Sequence, residues 1–135
     1  MEEQAFLTAA NVAWQVEDQR ILDQVNVSLR ANEFFVIMGA NGCGKTSLLK
    51  ILAGLVYPTA GSVKVFLQPG RGMEMHAAVD SRRINAAFVF EAGGLISNLS
   101  VIDNVALPLR YLRQMPEEQV REAVQAVLAE YDIAA

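Results

Sequence analysis

The chain has 135 residues, the length of one domain with one hydrophobic core. Its formal net charge is −4 and its eleven Lys and Arg residues are scattered, which argues against nucleic acid as a partner. A single cysteine, Cys43, excludes an internal disulfide, and the acidic start MEEQAFL does not resemble a secretory signal. We therefore expect a cytosolic chain. Its hydrophobic share of 53% is high, so part of its apolar surface is expected to meet a partner or further chain.

The N-terminal third predicts strands. Residues 6–16 are mostly apolar, and Val25, Val27 and Leu29 alternate with polar residues at the period of two that marks a half-buried edge strand. The run FFVIM at 34–38 is continuously apolar, which predicts a strand covered on both faces in a parallel sheet. That strand would lead directly into a glycine-rich loop.

The rest of the chain alternates between helical and strand patterns. Apolar residues at 48, 49, 51 and 52 predict a helix over 46–53 that Gly54 ends, residues 62–67 predict a strand, and 68–83 is polar without a clear element. Residues 85–90 predict a second buried strand, ending at Glu91. Ser100 and Asp103 form a capping box for a helix, and Pro116 opens the last helix, whose apolar face comprises Val120, Val124, Val127, Leu128 and Tyr131. The alternation predicts an α/β domain.

The segment GANGCGKT matches the pattern G-x-x-x-x-G-K-[ST] through Gly39, Gly44, Lys45 and Thr46. Glycines let backbone N–H groups turn inward around a phosphate, and the following helix N-terminus favours the same negative charge. Lys45 is expected to reach the β- and γ-phosphates, and the Thr46 hydroxyl to bind Mg²⁺. A dinucleotide fingerprint is excluded because no third glycine follows in register.

The flanks of this loop resemble one family. The stretch GANGCGKTSLLKILAGLVYPTAGSV is similar to the Walker A region of ABC transporter ATP-binding subunits, with Asn41 inside the loop and Pro58 and Gly61 before the next strand. The stretch VFEAGGLISNLSVIDNVALPLRY resembles the family's Q-loop region, in particular that of the lipid-trafficking branch. The resemblance covers roughly residues 6–131.

The resemblance implies a fold and a ligand. The fold is an α/β P-loop NTPase core of the ABC ATPase type with N-terminal antiparallel strands, incomplete at the C-terminus. Residues 1–135 would form a partial nucleotide-binding domain, with strands and P-loop core over 1–91, and the Q-loop and start of the helical subdomain over 92–135. ATP and Mg²⁺ are the implied cofactors. The implied phosphate-binding residues are Gly39, Ala40, Asn41, Gly42, Cys43, Gly44, Lys45, Thr46 and Ser47.

Two residues outside the loop gain roles from the same resemblance. Trp14 occupies the place of the aromatic residue that stacks on adenine, although packing on a strand face is an alternative role for it. Glu91 occupies the place of the Q-loop glutamine, and together with Thr46 it would bind Mg²⁺. A carboxylate there adds a negative charge beside a triphosphate. Asn32 replaces the glycine that usually precedes Glu33, which is tolerable because asparagine adopts left-handed backbone conformations readily.

The sequence ends before the family's signature motif, Walker B acid and switch histidine, so we expect an N-terminal portion without a complete catalytic set. The implied partners are ATP, membrane-spanning transporter subunits and a second ATP-binding subunit in a head-to-tail dimer, on the cytoplasmic face of the inner membrane. Two alternatives stay open. One is a self-contained P-loop NTPase or kinase that uses Glu91 as its acidic strand end. The other is a non-catalytic nucleotide-binding module.

Overall fold

The computed structural model describes residues 5–113 and 115–133, and the side chains of all of these except 112 and 113. The strands are β1 (Ala5–Val16), β2 (Gln19–Arg30), β3 (Ala60–Gln68) and β4 (Arg71–Glu74). The helices are α1 (Lys45–Leu52), α2 (Met75–Asp80), α3 (Val101–Pro108), a π-helical turn (Leu109–Arg113) and α4 (Glu117–Glu130). The described residues up to Phe88 form one compact unit, and those from Val89 form another. No described helix is both long and apolar enough to cross a bilayer.

The four strands form one antiparallel sheet in the order β2-β1-β3-β4. Leu7 on the inner strand β1 lies opposite Leu29 on β2 and Val65 on β3. On β2, the half-buried Val25, Val27 and Leu29 alternate with exposed residues. The prediction of a half-buried edge strand over these residues is confirmed.

One core holds the first unit together. Val12, Val63 and Val65 on the sheet are 0–2% exposed, and Ile51 on α1 is 0% exposed. Burying each of these aliphatic side chains contributes roughly 1.5–3 kcal/mol. The helix predicted over 46–53 begins one residue earlier and buries Leu48, Ile51 and Leu52.

The C-terminal end of α1 is fixed by α2. Gly54 has a left-handed φ of +76°, and a Cβ there would lie 3.3 Å from the side chains of both Met75 and Val79. The His76 Nδ1 donates to the Gly54 carbonyl oxygen at 2.9 Å, and its ring stacks on Tyr57 with 3.6 Å between centroids. Both α2 and β4 lie in the segment 68–83, which the sequence pattern left without an element, because neither is longer than six residues.

Two predicted buried strands are wrong for the structure. Residues 34–38 and 85–90 have no regular secondary structure, and Phe34, Val36 and Val89 are 101%, 75% and 89% exposed. A strand of a parallel sheet needs hydrogen-bonding neighbours and cover on both faces. The described sheet is antiparallel and includes neither segment, so apolar character alone does not make them strands here.

The second unit is built on α3 and α4. The Ser100 Oγ accepts a hydrogen bond from the Asp103 backbone N–H at 3.1 Å, which confirms the predicted cap. Ala106 packs in a small core with Val120, Val124 and Leu128. Val127 and Tyr131 are 42% and 69% exposed, so that part of the predicted apolar face is wrong. Val127 lies at the edge of the buried stripe, and Tyr131 follows the end of the helix.

Arg110 joins the two helices of this unit. Its guanidinium donates to Asp103 Oδ1 at 3.0 Å and to Glu117 Oε2 at 3.1 Å. The Ser100 hydroxyl and then Arg110 hold the pKa of Asp103 below its ordinary value, and Arg110 lowers the pKa of Glu117. The pKa of Arg110 itself is raised by Glu117 and then by Asp103.

We expect Arg110→Gln to lower the stability of the second unit near neutral pH. Because the folded pKa values of both carboxyl groups are depressed, their stabilisation is present above the unfolded values near pH ~4 and is lost as pH falls further. Urea unfolding followed by circular dichroism at pH 7 and pH 3 should show a difference between the wild type and the variant that shrinks in acid. Lys64→Gln, which removes an exposed pair with Glu74 at 3.9 Å, is the control and should change stability less. A difference that persists unchanged at pH 3 would contradict the assignment.

Candidate phosphate-binding site

The glycine-rich loop leads from the exposed segment 34–38 into α1. Gly42 and Gly44 have φ values of +80° and +94°, a region that glycine enters without steric cost. Gly44 is the N-cap of α1, and a Cβ on it would lie 2.9 Å from Leu22 Cδ2 and 3.1 Å from the Ile21 carbonyl oxygen. Strand β2 therefore supports the loop from one side. Nothing in the spacing of the sequence motif indicates this contact.

The side chain of Lys45 returns over the loop that precedes it. Its ammonium donates to the carbonyl oxygens of Gly39 at 2.9 Å and Ala40 at 2.7 Å, and its Nζ lies 3.9 Å from Cys43 Sγ. These contacts curl the loop around one positive charge. The Cys43 thiol is exposed.

The start of α1 adds unpaired donors beside that charge. The first helical bond runs from the Leu48 N–H to the Gly44 carbonyl oxygen at 2.9 Å, so the N–H groups of Lys45, Thr46 and Ser47 have no acceptor within the helix. No acidic residue occupies the first turn. The loop is largely exposed and combines a lysine, backbone donors and the positive end of a helix dipole. These groups fit the phosphates of a nucleotide, and the exposed Thr46 hydroxyl fits a ligand of their Mg²⁺.

Trp14 lies one strand away from the loop. It is the cross-strand partner of Leu22, the residue whose side chain approaches Gly44. Trp14 is half-buried and packs against the core of the first unit. Its packing role is therefore present in the structure, and stacking on adenine stays a prediction.

Glu91 is exposed and lies in the turn that follows residues 85–90. It belongs to the second compact unit, whereas Thr46 belongs to the first, so a Mg²⁺ site that joins them stays a prediction. Within residues 5–113 and 115–133 no group of three His, Cys, Asp or Glu side chains is placed to hold a metal. Asn32, by contrast, has the left-handed φ of +59° that was expected of it.

Comparison with known proteins decides the family. The sequence profile described as "ABC transporter" matches residues 22–135 of this chain. The chain belongs to the ABC transporter family. Among solved structures, the chain is similar to a dimeric post-hydrolysis state of the ATP-binding cassette MJ0796 bound to ADP and Pi. The TM-score is 0.72 at 29% identity, over 91% of this chain and 56% of that one. The α/β fold of an ABC ATPase cassette is thus confirmed for the part of the cassette that this chain covers.

Curated relatives are ATP-binding subunits of importers. The chain is 32% identical to the spermidine/putrescine import ATP-binding protein PotA of Marinobacter nauticus, over 93% of this chain and 32% of the relative. It is 37% identical to the taurine import ATP-binding protein TauB of Chromobacterium violaceum, over 96% of this chain and 47% of the relative. The chain spans about a third to about a half of the length of these relatives. Their names give spermidine/putrescine and taurine as the solutes. These names do not test the predicted likeness to the lipid-trafficking branch, which stays a prediction.

Proposed function

We propose that this chain is the ATP-binding part of an ABC transporter and that it binds MgATP through residues 39–47. The observation that carries the proposal is the exposed loop curled around the Lys45 ammonium at the N-terminus of α1, in a chain of this family. Phosphate oxygens can replace the two carbonyl oxygens that Lys45 now contacts, and the first N–H groups of α1 supply further donors.

The remaining roles follow from position around the loop. The Thr46 hydroxyl would bind Mg²⁺ with Glu91 as a second ligand, and Trp14 would stack on the adenine ring. Residues 1–91 would carry the nucleotide, and residues 92–135 would carry the Q-loop and the start of a helical subdomain. Coupling of ATP hydrolysis to transport is proposed for the whole protein. The groups that catalyse hydrolysis would come from residues other than those named here.

The proposed partners are those of an ATP-binding subunit. They are membrane-spanning transporter subunits and a second ATP-binding subunit in a head-to-tail dimer, on the cytoplasmic face of the inner membrane. The similar MJ0796 cassette is dimeric in its ADP-bound structure, which supports the second partner. The transported solute is left unassigned, because relatives of comparable similarity are named for polyamines and for taurine.

Calorimetric titration with two ligands tests this function and separates its two contact regions. MgATP carries both an adenine and a triphosphate, whereas Mg-tripolyphosphate carries phosphates alone. We expect both ligands to bind the wild-type chain. Trp14→Ala should weaken the binding of MgATP about tenfold, by analogy with the ~1–3 kcal/mol for a base stacked on an aromatic side chain. The binding of tripolyphosphate should stay unchanged.

Each outcome of that titration has a distinct meaning. Failure of the wild-type chain to bind either ligand would overturn the proposed function. Equal weakening of both ligands by Trp14→Ala would show that Trp14 only supports the fold near Leu22 and would remove its adenine role. Because Trp14 is the single tryptophan of the chain, its fluorescence gives an independent second readout of adenine binding.

A further inference from the structure

A second concavity of the first unit lies along the β3–β4 hairpin and includes residues of its turn. Its volume is about 580 Å³, and six of its lining residues carry the argument, namely Val65, Leu67, Gln68, Arg71, Met73 and Arg83. It shares no lining residue with the phosphate-binding loop. The function proposed above leaves it unused.

The floor of the concavity is apolar. Val65 is fully buried and lies opposite Met73 across the hairpin. Phe66 lies opposite Gly72 and Gln68 lies opposite Arg71, so Leu67 is the extra residue of a bulge and has no cross-strand partner. Its side chain is 44% exposed. Apolar surface therefore continues from the core into an open site.

Two arginines line the same concavity. Arg71 begins β4, and Arg83 is fixed in the turn after α2, where its backbone N–H donates to the Ala78 carbonyl oxygen at 2.9 Å. Neither guanidinium forms a hydrogen bond or an ion pair with another residue in the described part of the chain. Two like charges without a counter-charge favour an anion between them, and the planar guanidinium matches carboxylate and phosphate oxygens in pairs.

We propose that this concavity binds a small amphipathic anion. Arg71 and Arg83 hold its carboxylate or phosphate head, and its short apolar tail lies on Leu67 and Met73. The Gln68 side-chain amide offers one more donor to the head. The volume falls within the ~300–1,000 Å³ typical of small-ligand sites, and the charge of the two arginines selects for an anion.

Titration of the ¹⁵N-labelled full chain with octanoate, followed by NMR, tests the proposal. We expect amide shifts confined to β3, β4 and the turn at Arg83. Arg71→Gln and Arg83→Gln should each weaken the binding of octanoate about tenfold, which is the loss expected for one charge-assisted hydrogen bond. Arg20→Gln is the matched control because Arg20 is an exposed arginine on β2, away from the hairpin. Butanoate should bind more weakly than octanoate, and octyl phosphate in parallel identifies the preferred head.

The proposal is overturned if octanoate shifts no hairpin amide, or if Arg71→Gln and Arg20→Gln have the same effect. It is also overturned if a Glu/Leu-rich peptide binds at the hairpin and octanoate does not, since the surface would then dock protein. Both arginines are exposed, so the variants should fold, and their amide spectra verify this. MgATP binding is measured separately, and its failure would leave this result unaffected.

Discussion

Lys45→Ala is expected to weaken MgATP binding by about 10- to 150-fold and to change AMP binding by less than about twofold. The range follows from ~1.5–3 kcal/mol for a hydrogen bond to a charged group. The ammonium is held over the loop by the Gly39 and Ala40 carbonyl oxygens, where the terminal phosphates of ATP are proposed to lie. AMP lacks those phosphates, so it does not engage the lysine. Calorimetric titration of both nucleotides into the wild type and the variant measures the two ratios.

Lys50→Ala is the control for this experiment. Lys50 is in the last turn of the same helix, so the variant loses the same charge at the far end of α1. It should retain the wild-type affinity for both nucleotides. An equal loss of ATP and AMP affinity in Lys45→Ala would show that the lysine supports the loop itself. Thermal unfolding without nucleotide tests that supporting role directly, because the variant also loses the two bonds to the carbonyl oxygens.

The sequence predicts local features of this chain better than it predicts long-range pairing. The helix after the glycine-rich loop, the Ser100 cap and the alternation along β2 all depend on residues within a few positions of one another, and all are found, the helix with its start shifted by one residue. The short elements β4 and α2 were missed because four to six residues carry too little periodicity.

The two wrong strands fail for a different physical reason. An apolar run such as FFVIM at 34–38 indicates that a segment avoids water, but a strand also needs a neighbour for its backbone hydrogen bonds. Nothing local in the run specifies that neighbour. These segments contribute to the high hydrophobic share of the sequence without adding to its core. Phe34 and Met38, for example, are 101% and 87% exposed.

The site is predictable only as far as its motif extends. Gly39 to Ser47 are consecutive, so the sequence places them together. The support of Gly44 by Ile21 and Leu22 arises because β2 passes beside the loop, which only the fold determines. The same holds for the position of Trp14 opposite Leu22.

Gly61→Ala is expected to lower the free energy of unfolding by about 3 kcal/mol or more, a large fraction of the ~5–15 kcal/mol typical of a domain. Gly61 lies in β3 with a φ of +84°, and a Cβ there would lie 2.4 Å from the Asn11 carbonyl oxygen and 2.5 Å from that of Ala10. Both atoms belong to the backbone of β1, so relief requires the β1–β3 pairing to separate locally. Urea unfolding followed by circular dichroism measures the loss.

Gly70→Ala isolates the steric part of that loss. Gly70 has a similar left-handed φ of +72°, but a Cβ there would meet nothing within 4 Å. Its substitution should therefore cost only the backbone strain of about 1 kcal/mol. Equal destabilisation by the two variants would mean that β1 and β3 can move apart at this point without lowering the free energy of unfolding. A larger loss of stability in Gly61→Ala means that the close approach of β1 and β3 maintains the register that places Leu7 opposite Val65. That register in turn maintains the core on which α1 and its phosphate-binding loop rest.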